Sequence, residues 1–168
     1  MTNGAFAVCP EMTDKESSKK EYLFVCTGNT CRSPMAAALF NFLFGNEDRH
    51  ASSAGIAADG SPISSGAKNA LIGRGVLPTP GNDYRSHVSR MVSQELLEKA
   101  ELVICLTSAH AMRLIMAYPA YASKIAVMPS DISDPYGGCD EVYEACLAEI
   151  EKGLAEAFGC ENEVPADE

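Results

Sequence analysis

The stretch C-T-G-N-T-C-R-S-P, residues 26–34, sits between the apolar run Y-L-F-V at 22–25 and the run M-A-A-A-L-F-N-F-L-F at 35–44. A short buried strand, a tight polar loop and a helix start limit this chain more than any other feature. Such an order builds an anion site, because the helix dipole and the unpaired N–H groups of its first turn point at the loop. Gly28 and Asn29 are the residues that most easily take positive φ, so the loop can curl its amides inward. Arg32 can grip two oxygens of a phosphate with its planar fork. Cys26, at the strand end, faces the same centre. The amides and the arginine favour its thiolate, and a thiolate beside a bound phosphoryl group is a poised nucleophile. A free cysteine is more often a buried core thiol. The spacing Cys-x5-Arg-Ser-Pro between a strand and a helix favours the nucleophile for Cys26.

The rest of the composition narrows the class. A chain of 168 residues suits one domain with a real core. Lys plus Arg number 13 against 23 Asp plus Glu, a net charge of −10. That balance argues against a nucleic-acid partner, which would need a basic face, while leaving room for an anion at one local site. Seven cysteines, at 9, 26, 31, 105, 139, 146 and 160, form no C-x-x-C pair. Neither a disulfide scaffold nor a zinc site is expected, and reduced thiols in the cytoplasm fit better. No metal or other cofactor is expected. No apolar stretch is long enough for a membrane span, and the first residues lack the basic start of a signal peptide. Residues 1–20 read as a flexible extension, 21–158 as the domain and 159–168 as an acidic tail.

Hydrophobic patterning places strands at 22–25, 49–53, 102–106 and 124–128, and helices at 33–44, 63–73, 93–99, 108–117 and 140–158. Pro34 falls in the first turn of the first helix, where it is tolerated. In the last helix Val142, Cys146, Ile150 and Leu154 recur four apart and are expected to face the core. Cys105 and Cys146 fall on core positions. Strands alternating with helices predict a single three-layer α/β domain: a small parallel sheet of about four strands with helices on both faces.

Further motifs turn the loop into a resemblance. V-C-T-G-N-T-C-R-S-P resembles the signature of the low-molecular-weight protein tyrosine phosphatases. S-S-A-G at 52–55 is similar to the family's S-A-G turn, with Ser53 at the position that braces the loop asparagine, Asn29. S-H-V-S-R at 86–90 is similar to its H-x-A-R-Q segment, with His87 in the bracing position and Met91 in place of the glutamine. S-D-I-S-D-P-Y-G-G at 130–138 carries the Asp-Pro of the general acid at Asp134. The resemblance covers about residues 21–158 and implies the low-molecular-weight phosphatase fold.

It also implies a mechanism. The N–H groups of Thr27, Gly28, Asn29, Thr30, Cys31 and Arg32, with the Arg32 side chain, hold the phosphoryl oxygens. Cys26 attacks phosphorus and forms a phosphocysteine. Asp134 protonates the leaving atom and then activates water. Ser33 donates to the Cys26 sulfur and eases its departure. In this family the second loop cysteine, here Cys31, can form a disulfide with the nucleophile and shield it from irreversible oxidation. Packing beneath the loop is the other reading of Cys31.

Thr30 bears on the substrate. Tyrosine phosphatases of the family commonly carry a larger aliphatic residue there, and threonine resembles the protein-arginine phosphatase branch. Tyr136 followed by two glycines offers one aromatic wall to a guanidinium. L-T-S-A-H at 106–110 differs from the M-D-E segment of many tyrosine enzymes. The expected partners are phosphorylated proteins, phosphoarginine before phosphotyrosine, with phosphate or another oxyanion at the loop. A thiol-dependent arsenate reductase shares the Cys-x5-Arg loop but needs resolving cysteines downstream. An idle oxyanion-binding or redox-sensing module would have lost the nucleophile, the arginine or the acid, and all three are present.

Overall fold

The computed structural model describes residues 19–159. The extension expected over 1–20 and the tail over 159–168 lie outside the described residues, apart from Lys19, Lys20 and Gly159. Lys20 already belongs to the first strand.

The chain runs β1 (Lys20–Cys26), α1 (Arg32–Leu43), β2 (Arg49–Gly55), α2 (Ser65–Gly73), α3 (Gln94–Lys99), β3 (Leu102–Cys105), α4 (Ser108–Ala117), β4 (Ile125–Val127) and α5 (Asp140–Phe158). The four strands form one sheet in the order β2-β1-β3-β4, and every pairing is parallel. A central parallel strand is buried on both faces, which is why Y-L-F-V reads as a continuous apolar run. Tyr22, Phe24 and Cys26 point into the core shared with α1, α2 and α5. Leu23 and Val25 point into the core shared with α3 and α4. Full burial of Leu23, Phe24 and Val25 contributes about 1.5–3 kcal/mol each. The three-layer arrangement is the one the sequence predicts.

Helix α1 is buried on all sides over its first nine residues, Arg32 to Phe40. Its alanines, at 36, 37 and 38, let it press close to the sheet and to α2 and α5. Phe40 packs 4.9 Å from Tyr22 and 5.1 Å, edge-on, from Phe158. The burial continues to the polar end of the helix, so Arg32 and Ser33 are fixed by the same packing.

The last helix departs from the expected stripe. Its buried residues are Tyr143, Cys146, Leu147, Ile150, Gly153, Leu154 and Phe158, while Val142 is 43% exposed. Positions four apart drift by about 40° at each step at 3.6 residues per turn, so Val142 lies about 120° from Leu154. Tyr143 takes the core position instead. Helix α2 starts at Ser65, later than expected, because the Ser64 side chain caps it by accepting the Ala67 N–H.

The strand order sets the location of the site. From β1 the chain passes to β2 on one side and later to β3 on the other. The crevice at the carboxyl ends of β1 and β3 is therefore the topological switch point of the sheet. The loop 26–31 leaves β1 there, and Leu106 and Thr107 leave β3 beside it. Among the described residues no helix is long and apolar enough to cross a membrane.

Candidate active site

Asn29 fixes the shape of the loop. Its φ of 56° is the only positive value at a non-glycine among the described residues. Asparagine tolerates this left-handed region better than other side chains. Here its polar atoms are also held by the fold. Nδ2 donates to Ser33 Oγ at 2.7 Å and to Ser53 Oγ at 2.9 Å. Oδ1 accepts the Arg90 N–H at 3.0 Å. The Asn29 carbonyl lies 2.8 Å from His87 Nε2, and since a carbonyl only accepts, that nitrogen carries the proton. Burial holds the His87 pKa below its ordinary value, with the bond to Asn29 opposing. Ser53 and His87 thus both hydrogen-bond to Asn29. Gly28 differs from expectation: its φ is not positive, and the turn is concentrated in Asn29.

Gly55 at the end of β2 was not legible as part of this arrangement beyond its place in S-S-A-G. A Cβ there would lie 2.5 Å from the Thr27 carbonyl oxygen and 3.0 Å from Asn29 Cβ. The glycine lets the loop backbone lie directly against β2. Gly55→Ala is expected to destabilise the fold by about 1–3 kcal/mol through overpacking. The check is the urea midpoint at unchanged slope. An unshifted midpoint would mean that the loop yields freely.

Cys26 Sγ sits 3.0 Å from Ser33 Oγ and accepts the Asn29 N–H at 3.3 Å. Asn29 already donates to Ser33 Oγ, which leaves the serine proton for Cys26 or for the Ala54 carbonyl at 3.4 Å. Arg32, 7% exposed, donates from Nη1 to the Ile132 carbonyl at 3.1 Å, and its Nη2 lies 3.3 Å from Asp134 Oδ2. The arginine thereby ties the 132–134 segment to the start of α1. Asp134 accepts the Tyr136 N–H across Pro135 at 3.1 Å and stays largely exposed. Tyr136 is 78% exposed, and Gly137 after it has a φ of 79°.

Cys31 packs beneath the loop. Its Sγ lies 3.3 Å from Ser64 Oγ, 3.5 Å from the Tyr143 hydroxyl and 3.6 Å from Thr30 Oγ1. The Thr30 carbonyl accepts the Ser64 N–H at 2.9 Å, which presents the Thr30 side chain along the cleft wall. Tyr143 in turn fills the space left by Gly66, where a Cβ would meet its ring at 2.4 Å.

These residues surround an open cleft of about 620 Å³. Its floor is the backbone from Cys26 to Arg32, and Asp134, Tyr136 and Asp59 stand on its walls. Sequence reading missed Asp59, an exposed carboxylate in a loop. It accepts the Ser61 N–H at 3.0 Å, and bonds from Ser61 hold its pKa below the usual range. Sequence reading also missed His110, which touches the loop through Thr27. A threonine followed three residues later by histidine, just past a strand, was the available signal. Burial pushes the thiols of Cys105 and Cys146 up to about 12. Among the described residues no group of three or more His, Cys, Asp or Glu side chains could hold a metal ion. The arrangement brings together the Cys26 thiol, the loop amides with Arg32, and the Asp134 carboxylate.

Comparison with known proteins agrees in extent. The family model described as "Low molecular weight phosphotyrosine protein phosphatase" matches residues 21–166. A protein-arginine-phosphatase of Geobacillus stearothermophilus is 39% identical over 139 residues, 77% of this chain and 87% of that protein. An arsenate reductase of Halalkalibacterium halodurans is 36% identical over 109 residues, 64% of this chain and 70% of that protein. Among solved structures, a cysteine-to-serine mutant of the YwlE arginine phosphatase with a phosphorylated active-site serine superposes with a TM-score of 0.75. It is 29% identical, covering 86% of this chain and 97% of that one.

Proposed function

The chain belongs to the low molecular weight phosphotyrosine protein phosphatase family, and on that premise we propose that it hydrolyses phosphorylated protein side chains through a phosphocysteine on Cys26, with phosphoarginine preferred. The observation that carries the hydrolytic reading is the convergence of Cys26, Arg32 and Asp134 on one cleft. Curled amides and the Arg32 guanidinium meet the charge that spreads over the three equatorial oxygens in phosphoryl transfer. The Cys26 thiolate attacks in line. Asp134, reachable from solvent, protonates the leaving atom and then takes a proton from water. The Ser33 hydroxyl, 3.0 Å from the sulfur, stabilises the departing thiolate. We place it in a reducing compartment such as the cytoplasm, where cysteines stay as thiols. Oxidation would pair Cys26 with Cys31, whose sulfur packs under the same loop.

The walls support phosphoarginine. A phosphoguanidinium is planar and rich in N–H donors. Thr30 offers a hydroxyl beside the phosphate, and Asp59 and Asp134 put two carboxylates around the mouth. Tyr136 supplies one aromatic face for stacking. The similarity to a protein named a protein-arginine-phosphatase points the same way. The test is kcat/KM on a phosphoarginine and a phosphotyrosine peptide, for the wild type and Thr30→Ile. The wild type is expected to prefer phosphoarginine, and the isoleucine to shift the ratio toward phosphotyrosine by about tenfold or more. A wild type that prefers phosphotyrosine would make this a tyrosine phosphatase.

The likeness to an arsenate reductase favours a second reading, thiol-dependent arsenate reduction. It requires resolving cysteines, and burial makes Cys105 and Cys146 poor candidates. Absence of thiol-dependent arsenate turnover would dismiss it.

A further inference from the structure

His110 is buried, 5% exposed, and none of the steps above uses it. Its Nε2 lies 2.8 Å from Thr27 Oγ1 and its Nδ1 2.9 Å from Thr107 Oγ1. Thr107 Oγ1 also accepts the His110 backbone N–H at 3.2 Å, as the cap of α4. Counting protons gives the chain a direction. Thr107 has one hydroxyl proton, and Nδ1 is the acceptor in reach. Nδ1 then accepts, so Nε2 carries the ring proton and donates to Thr27. The opposite tautomer would put two donors on Thr107, leave that half-exposed hydroxyl's proton to solvent and turn the Thr27 proton onto Nε2; only the first tautomer gives both threonine–histidine bonds a protein donor and acceptor without solvent. Thr27 Oγ1 receives the Nε2 proton, so its own proton must seek an acceptor elsewhere. Thr27 lines the cleft next to Cys26.

We infer that Thr107, His110 and Thr27 form a relay that aims the Thr27 hydroxyl at the bound phosphoryl group, adding one side-chain donor to the loop amides and Arg32. The inference rests on the phosphatase reading of the loop. Thr27 is the group that touches substrate, and His110 is a positioning residue that acts through it. The ring must stay neutral for Nδ1 to accept. Burial holds its pKa below the ordinary value, reinforced by Arg32 and Arg113 and opposed by Asp134 and Asp131. A donor to a charged oxygen is stronger than one between neutral groups. The relay also bridges the switch point, since Thr27 follows β1 while Thr107 and His110 follow β3.

The test uses turnover of para-nitrophenyl phosphate by the full chain. Thr27→Val removes the hydroxyl while keeping the shape, and is expected to lower kcat/KM by about 10- to 100-fold, whereas Thr27→Ser stays within about threefold. His110→Phe keeps the bulk and loses the ring donor, and should fall by a similar factor. The Thr27→Val/His110→Phe double variant should fall no further than Thr27→Val alone, because both remove one interaction. A structural role for His110 would not produce that coupling. Thr27→Val at the wild-type rate, or a double variant at the product of the two losses, would overturn the relay. If His110→Phe does not fold, the contrast between Thr27→Val and Thr27→Ser decides alone. A wild type without turnover would strike the phosphatase reading and take the relay with it. An active wild type with an unaffected Thr27→Val strikes the relay only.

Discussion

Cys26→Ser is expected to stop turnover, by about 10⁴-fold or more, and to leave the protein carrying a phosphoryl group. The serine hydroxyl would occupy the place of a sulfur that accepts the Asn29 N–H at 3.3 Å and lies 3.0 Å from Ser33 Oγ. A serine oxygen can accept the same Asn29 N–H, so the amides and Arg32 keep their places and substrate still binds. Attack is slow because a serine hydroxyl is a far weaker nucleophile than a cysteine sulfur. The second step is slower still, since a serine alkoxide leaves far less readily than a thiolate. Intact mass after incubation with a phosphoarginine peptide, alongside turnover of para-nitrophenyl phosphate, checks both halves. Turnover within about tenfold of wild type would remove Cys26 from the chemistry.

Arg32→Lys should cost about 10²–10³ in kcat/KM, although it preserves charge. Arg32 does several things at once. One nitrogen holds the Ile132 carbonyl, another pairs with Asp134, and the residue lines the cleft beside the loop amides. A lysine ammonium is a point charge and cannot meet two oxygens and a carbonyl in fixed geometry. It would also sit in a pocket built for a buried guanidinium, with Asp134 no longer tied to α1. Inhibition by inorganic phosphate should weaken together with kcat/KM. A lysine variant at the wild-type rate would show that the amides alone carry the oxyanion.

The loop and its place between strand and helix are legible because its residues are consecutive. Cys26, Arg32 and Ser33 lie within one strand–loop–helix unit whose geometry is local. The sheet was legible too, since buried parallel strands are plain apolar runs. What escaped notice is set by approach between distant segments. Gly55 matters only because the Thr27 carbonyl comes against it, and no local pattern announces that. Asp59 reaches the cleft from the loop after β2, and His110 touches Thr27 from the first turn of α4. Val142 differs for another reason: positions four apart drift around a 3.6-residue helix and do not keep a straight stripe. Gly28 was assigned a backbone role that Asn29 fills, because a glycine is permitted positive φ without being obliged to take it.

The hydrogen bonds that shape the loop reach across the chain. Asn29 is held by Ser53, 24 residues away, by His87, 58 away, and by Arg90, 61 away, and Thr27 by His110, 83 away. Each closure costs chain entropy that is recovered only when the partner segments are already in place. The loop therefore cannot acquire its shape early, from the strand and helix that flank it. During refolding it completes after the sheet and helices have assembled, as non-local contacts do. Anion binding is thus a late marker of the native state, and a chain with full helical signal can still lack a working cleft.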